Sequence, residues 1–137
     1  MSLARFYPII LVALFISSCA QVGTISGGDK DEIAPQPKLS RVFPPNESTN
    51  FTAKEIEIPF DEFITLNNPT ENIRIVPPHA KLKAVMKKKS LIISWDEDLK
   101  PNTTYAIYIN KAVKDITEGN DTIIQYVFST GNELDSI

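Results

Sequence analysis

The 137-residue sequence holds one cysteine and one histidine, and each scarcity removes a class of chemistry. A single cysteine cannot close an internal disulfide, so the fold must hold by packing alone. Zinc centres generally need several Cys or His ligands, which Cys19 and His79 do not supply. Catalysis of the Ser-His-Asp or Cys-His type requires a base beside the nucleophile. His79 follows Pro77-Pro78 in a turn and reads instead as an exposed loop residue. The apolar run from Phe6 to Ile16 is shorter than the ~20 residues of a membrane span and carries Pro8. Fourteen Lys and Arg against 17 Asp and Glu give a formal charge of −3. There is no clustered basic face of the kind that neutralises phosphates, which argues against nucleic acid as a partner. Lys87-Lys88-Lys89 is the one basic run, and its place between two strand-like segments makes it a solvated hairpin turn.

What is present begins with the N-terminus. Arg5, the apolar stretch and the two small residues before Cys19 have the layout of a secretory leader ending at a processing site. Ile16-Ser17-Ser18-Cys19 resembles a bacterial lipobox, whose cysteine is diacylglycerated and becomes the first residue after cleavage. Such an anchor, with each buried methylene contributing about 0.8 kcal/mol, is stable once two or more acyl chains are present. The reading is a leader over 1–18, then a lipidated N-terminus and flexible tether over 19–37. The tether carries Gly27-Gly28, a charged cluster, Pro35 and Pro37. Within it, Lys30-Asp31-Glu32 resembles the lysine-acid signal that directs some Bacteroidota lipoproteins to the cell surface.

From residue 38 to 131 short alternating runs follow one another between turn signals, with no helix-period segment of useful length. Leu39 to Phe43 is a first candidate strand. In Glu55-Ile56-Glu57-Ile58-Pro59-Phe60 the apolar residues share one face, and Pro59, which lacks an N–H, marks an edge or a bulge. Asn72 to Val76, Lys81 to Met86, Ser90 to Trp95, Tyr105 to Ile109 and Ile123 to Thr130 complete the set, followed by a tail over 132–137. About seven strands at this spacing predict an all-β, antiparallel sandwich of the Ig-like or fibronectin-III-like kind. Leu99-Lys100-Pro101-Asn102-Thr103-Thr104-Tyr105 fits the pattern of a tyrosine corner, so Tyr105 and Pro101 are structural candidates, and Trp95 is placed in the core by its phase.

Several segments together resemble a bacterial Ig-like domain of the SbsA type, first defined in surface-layer proteins. They are Pro44 to Asn50, IEIPFDEF from Ile56, SLIISWDEDLKPNTTY from Ser90, Lys114-Asp115-Ile116, and the ending Phe128 to Gly131. With Cys19 and the tether, the chain is similar to Ig-like-domain lipoproteins of Bacteroidota. The resemblance implies a β-sandwich on the cell envelope and supplies no catalytic residues. The expected protein is a non-enzymatic outer-membrane lipoprotein. Its domain would be a binding, adhesion or spacer module for an envelope protein or glycan, or else a structural component of an envelope assembly. An enzyme acting on envelope glycans is the remote third reading.

Three acids that follow or precede strands, Asp61, Asp96 and Asp115, could gather around calcium if their strand ends fall at one pole, since oxygen ligands suit that cation. No EF-hand-like spacing is present, and solvated turns account for them better. Apart from the lipid on Cys19, no cofactor is expected. Asp121-Thr122-Ile123 and Asp135-Ser136-Ile137 resemble the aspartate-[ST]-aliphatic motif of O-glycosylated exported proteins, making Thr122 and Ser136 candidate acceptors. Asn46, Asn50, Asn102 and Asn120 begin sequons, but turn formation explains them better.

Overall fold

A computed structural model describes residues 27–117 and 119–136. The leader, Cys19 and the first part of the tether lie outside the described residues. Among the described residues seven strands run in the order β1 (Glu55–Pro59), β2 (Ile64–Leu66), β3 (Ile73–Val76), β4 (Lys83–Lys87), β5 (Ser90–Ser94), β6 (Thr104–Asp115) and β7 (Asp121–Ser129). One helical turn, α1 (Pro69–Asn72), precedes β3. Two antiparallel sheets result: β1-β5-β4, and a second in which β6 pairs with β2 and β3 on one side and with β7 on the other.

Alternation along the strands decides which faces meet. Ile56 and Ile58 of β1 and Leu91 and Ile93 of β5 point inward from the first sheet, and Ile73, Ile75, Ile107, Ile109, Tyr126 and Phe128 from the second. Burying each such side chain contributes about 1.5–3 kcal/mol relative to leaving it exposed. Phe128 sits at the centre of an aromatic cluster, with Phe51 at 4.2 Å, Tyr105 at 5.6 Å, and Trp95 and Tyr126 at 5.9 Å between ring centroids. β6 serves two partners because it is long. A bulge between Asn110 and Val113, with Lys111 at φ 59°, shifts the register against β7. The end beyond it pairs with β2.

Three expectations change. Leu39 to Phe43 is not a strand: residues Leu39–Arg41 form a 3₁₀ turn, closed by the Arg41 amide on the Lys38 carbonyl at 2.8 Å, and only Phe43 then pairs with Glu57. The run is too short, and Leu39 too exposed, for alternation to hold it extended. β2 lies where no strand was expected, because three residues carry too little pattern. Finally, residues 31–37, assigned to a flexible tether on composition, lie against the sandwich. Pro35 is buried, Asn120 Nδ2 donates to the Asp31 carbonyl at 2.8 Å, and Gln36 and Asp61 exchange hydrogen bonds. Backbone pairing with distant residues overrides a linker-like composition.

The chain ahead of β1 also joins the two sheets. Lys38 and Phe43 donate to the carbonyls of Pro59 and Glu57 at 2.7 and 3.0 Å, covering the outer edge of β1. After Pro44-Pro45 the chain crosses over, and Ser48 pairs in parallel with Phe128 of β7.

Candidate functional site

Loops at the two ends of the sandwich carry most of its titratable groups. The upper pole holds the end of β5 and the start of β6. The lower pole holds the end of β1, the β4–β5 turn and the β6–β7 turn.

At the upper pole Asp96, Glu97 and Asp98 leave β5 in succession, and the acidic loop finds its cation inside the chain. Lys54 Nζ donates to the carbonyls of Asp96 and Glu97 at 3.3 and 2.9 Å and to Asp98 Oδ1 at 2.5 Å. Lys83 pairs with the Asp96 carboxylate, and the Lys81 amide donates to Glu97 Oε1 at 3.3 Å. Hydrogen bonds from Lys83 and Lys54 hold the Asp96 and Asp98 carboxyls below the usual range, and backbone N–H donors do the same for Glu97. His79 Nε2 donates to the Asp98 carbonyl at 2.7 Å, so that nitrogen carries the proton. It is an exposed loop group engaged with backbone, with no nucleophile among its hydrogen-bond partners.

At the lower pole Asp115 is buried and organises the β6–β7 turn. Its carboxylate accepts from the amides of Gly119 at 2.7 Å and Asn120 at 3.3 Å. Gly119 has φ +77°, a conformation glycine adopts without penalty. Asp61 Oδ1 accepts from the Gln36 amide at 3.0 Å. Glu62 has its pKa raised, first by burial and then by the neighbouring Asp61, Asp115 and Asp31.

The calcium candidates therefore do not converge. β1 and β5 are antiparallel, with Pro59 opposite Ser90 and Glu55 opposite Ser94, so Asp61 and Asp96 leave at opposite ends. Asp115 shares the lower pole with Asp61 and serves the turn. Among the described residues no group of three or more His, Cys, Asp or Glu is placed to hold a metal ion.

Tyr105 begins the inward series of β6, and its hydroxyl accepts from the Lys100 amide at 3.0 Å, the geometry of a tyrosine corner. Pro101 is exposed in the loop that this bond ties down. The strand pairing reproduces the immunoglobulin order, with β1, β5 and β4 in one sheet and β3, β6 and β7 in the other. The sequence matches the bacterial Ig-like domain family over residues 31–130. The chain belongs to that family. No curated protein matches it. Domains of this family are generally non-catalytic and occur in bacterial surface and envelope proteins, which fits a binding or spacer module at the envelope.

In this Ig-like domain Trp95 is 1% exposed and stacks on Phe128. Thr122 is half-buried on β7 opposite Val113, and Ser136 is exposed in the tail. Asn46 Oδ1 accepts from the Val127 amide at 2.7 Å, while Asn50 and Asn102 occupy positive φ, the turn roles their residue type suits. Cys19 lies outside the described residues. Lys54 is the contributor that sequence reading missed, because its partners stand more than 40 positions away.

Proposed function

We propose that the chain is a lipid-anchored outer-membrane protein, similar to Bacteroidota lipoproteins, whose Ig-like domain is a non-catalytic binding, adhesion or spacer module. Cys19, at the end of a leader, supplies the anchor, and the domain supplies contact surfaces on loops and sheet faces. One observation carries the modular part of this reading: the clustered acids and the one histidine are spent on holding loops. Asp115 closes a turn, Asp96 and Asp98 bind lysines of the same chain, and His79 bonds a backbone carbonyl.

The test is the intact mass of the protein recovered from membranes, beside a Cys19→Ala variant. The expected result is a chain starting at Cys19 with added acyl mass, and loss of membrane association in the variant. An unacylated chain that still carries residues 1–18 would overturn the anchor. A pull-down from the same membranes then separates the roles: an external ligand supports recognition, whereas a stable complex with one envelope protein supports a structural component.

A further inference from the structure

The fold brings four cationic side chains from two segments together beside the β4–β5 turn. Lys38 and Arg41 come from the segment beside β1, and Lys88 and Lys89 come from the β4–β5 turn. Together they line a groove of about 620 Å³ at the lower end of the outer face of the first sheet. Ligand clefts span about 300–1,000 Å³. Among the described residues Glu57 is the one carboxylate lining it, and Phe63 stands at its side, 56% exposed.

Three features distinguish this groove from an ordinary solvated surface. Lys38, Arg41 and Lys88 make no side-chain hydrogen bond or ion pair among the described residues, whereas Lys54 and Lys83 at the other pole are both paired. Lys89 is already positioned: its Nζ donates to the Asp61 carbonyl at 3.0 Å and lies 5.0 Å from the centre of the Phe63 ring. The four cations also come from two segments some 50 positions apart, so the fold assembles them.

We propose that this groove binds an anionic saccharide whose sugar rings carry carboxylates. The cations match the carboxylates, with Arg41 able to grip one in bidentate fashion. Phe63 offers an apolar ring to the C–H face of a sugar, and Glu57 accepts from sugar hydroxyls, which a purely anionic ligand would not use. An acidic peptide fits less well, because it brings neither a C–H sugar face for Phe63 nor hydroxyls for Glu57. The proposal deepens the reading of the domain as a binding module and rests on it.

The experiment titrates the full chain, in neutral detergent, with trigalacturonate, neutral galactotriose and hexaglutamate, read by calorimetry. Trigalacturonate binds, and its affinity falls as salt rises from about 50 to about 500 mM. Galactotriose binds at least about tenfold more weakly. Arg41→Glu with Lys88→Glu loses at least about tenfold, and Phe63→Ala loses several-fold. Lys100→Glu, at the other pole, changes nothing, and thermal melts confirm that each variant is folded. Trigalacturonate bound no better than galactotriose, or undiminished binding by the folded double variant, overturns the proposal. Equal binding of hexaglutamate overturns the saccharide assignment, since the groove would then read charge alone. None of these outcomes depends on the mass of the anchor, so the two readings fail separately.

Discussion

Tyr105 reaches back from the start of β6 to the amide of Lys100, and its ring stays in the core against Phe128. Tyr105→Phe keeps the ring and leaves a half-buried N–H without its acceptor, which costs about 1–3 kcal/mol. Urea unfolding should show a lower midpoint at an unchanged slope. Trp95 tests packing instead, since its ring stacks against the adjoining rings of Phe51 and Phe128. Trp95→Ala should cost about 3–5 kcal/mol, while the native indole should resist quenching by iodide. Tyr126 adds a pH signature. Its hydroxyl donates to the Pro44 carbonyl at 2.9 Å, and burial pushes its pKa well above the ordinary phenol value. The stability it contributes is present below the unfolded-state pKa, about 10, and lost as pH rises toward the folded one. Both Tyr105 and Trp95 were legible in the sequence because their signals are local, a seven-residue pattern and a strand phase. Tyr126 was not, because its partners lie 81 and 82 positions away.

Among elements, the acidic loop at the upper pole and Glu62 at the lower pole sit in opposite electrostatic settings. The upper loop holds its acids ionised by lysine partners, so the stability they contribute is present above the unfolded carboxylate pKa and is lost as pH falls through the folded values. Lys54→Met should let the Asp98 carboxyl titrate closer to its ordinary range, which carboxyl NMR reads directly. An unmoved Asp98 would mean that the lysine contact does not persist in solution. Glu62 at the lower pole works the other way. Burial and neighbouring acids raise the Glu62 pKa, so its charge weakens the fold once pH passes that value. Glu62→Gln should therefore raise the melting temperature at pH 7, and the gain should vanish below pH about 4, where both states are protonated. The acids themselves were visible in the sequence. Which pole each occupied was not, because that follows from the antiparallel pairing of β1 with β5.

Across the whole molecule, the least legible part is the chain ahead of β1. Residues up to Pro37 read as a linker and Leu39 to Phe43 as a strand, yet the segment from Pro37 to Phe51 bonds β1 in one sheet and β7 in the other. Those partners lie from about 15 to about 80 positions downstream, and composition cannot report such distances. β2 carries too little pattern and Leu39 to Phe43 reads as a strand that does not form, whereas the other six strands were legible because alternation survives in their runs. The crossover was not, because Pro44-Pro45-Asn46 looks the same in a linker as in a bend between sheets. Physically, a segment bonded to both sheets should open only with them, since local openings follow cooperative units. Native-state hydrogen exchange provides the measurement. The amides of Lys38 and Phe43, bonded to β1, and of Glu47 and Phe51, bonded to β7, should be protected and should exchange with the free energy of the strands they join. Exchange of all four at free-peptide rates, while Tyr105 and Ile107 stay protected, would show that the crossing segment lies on the sandwich without belonging to it. Protection of one pair alone would show that the segment closes a single sheet edge and that the other sheet keeps an open side.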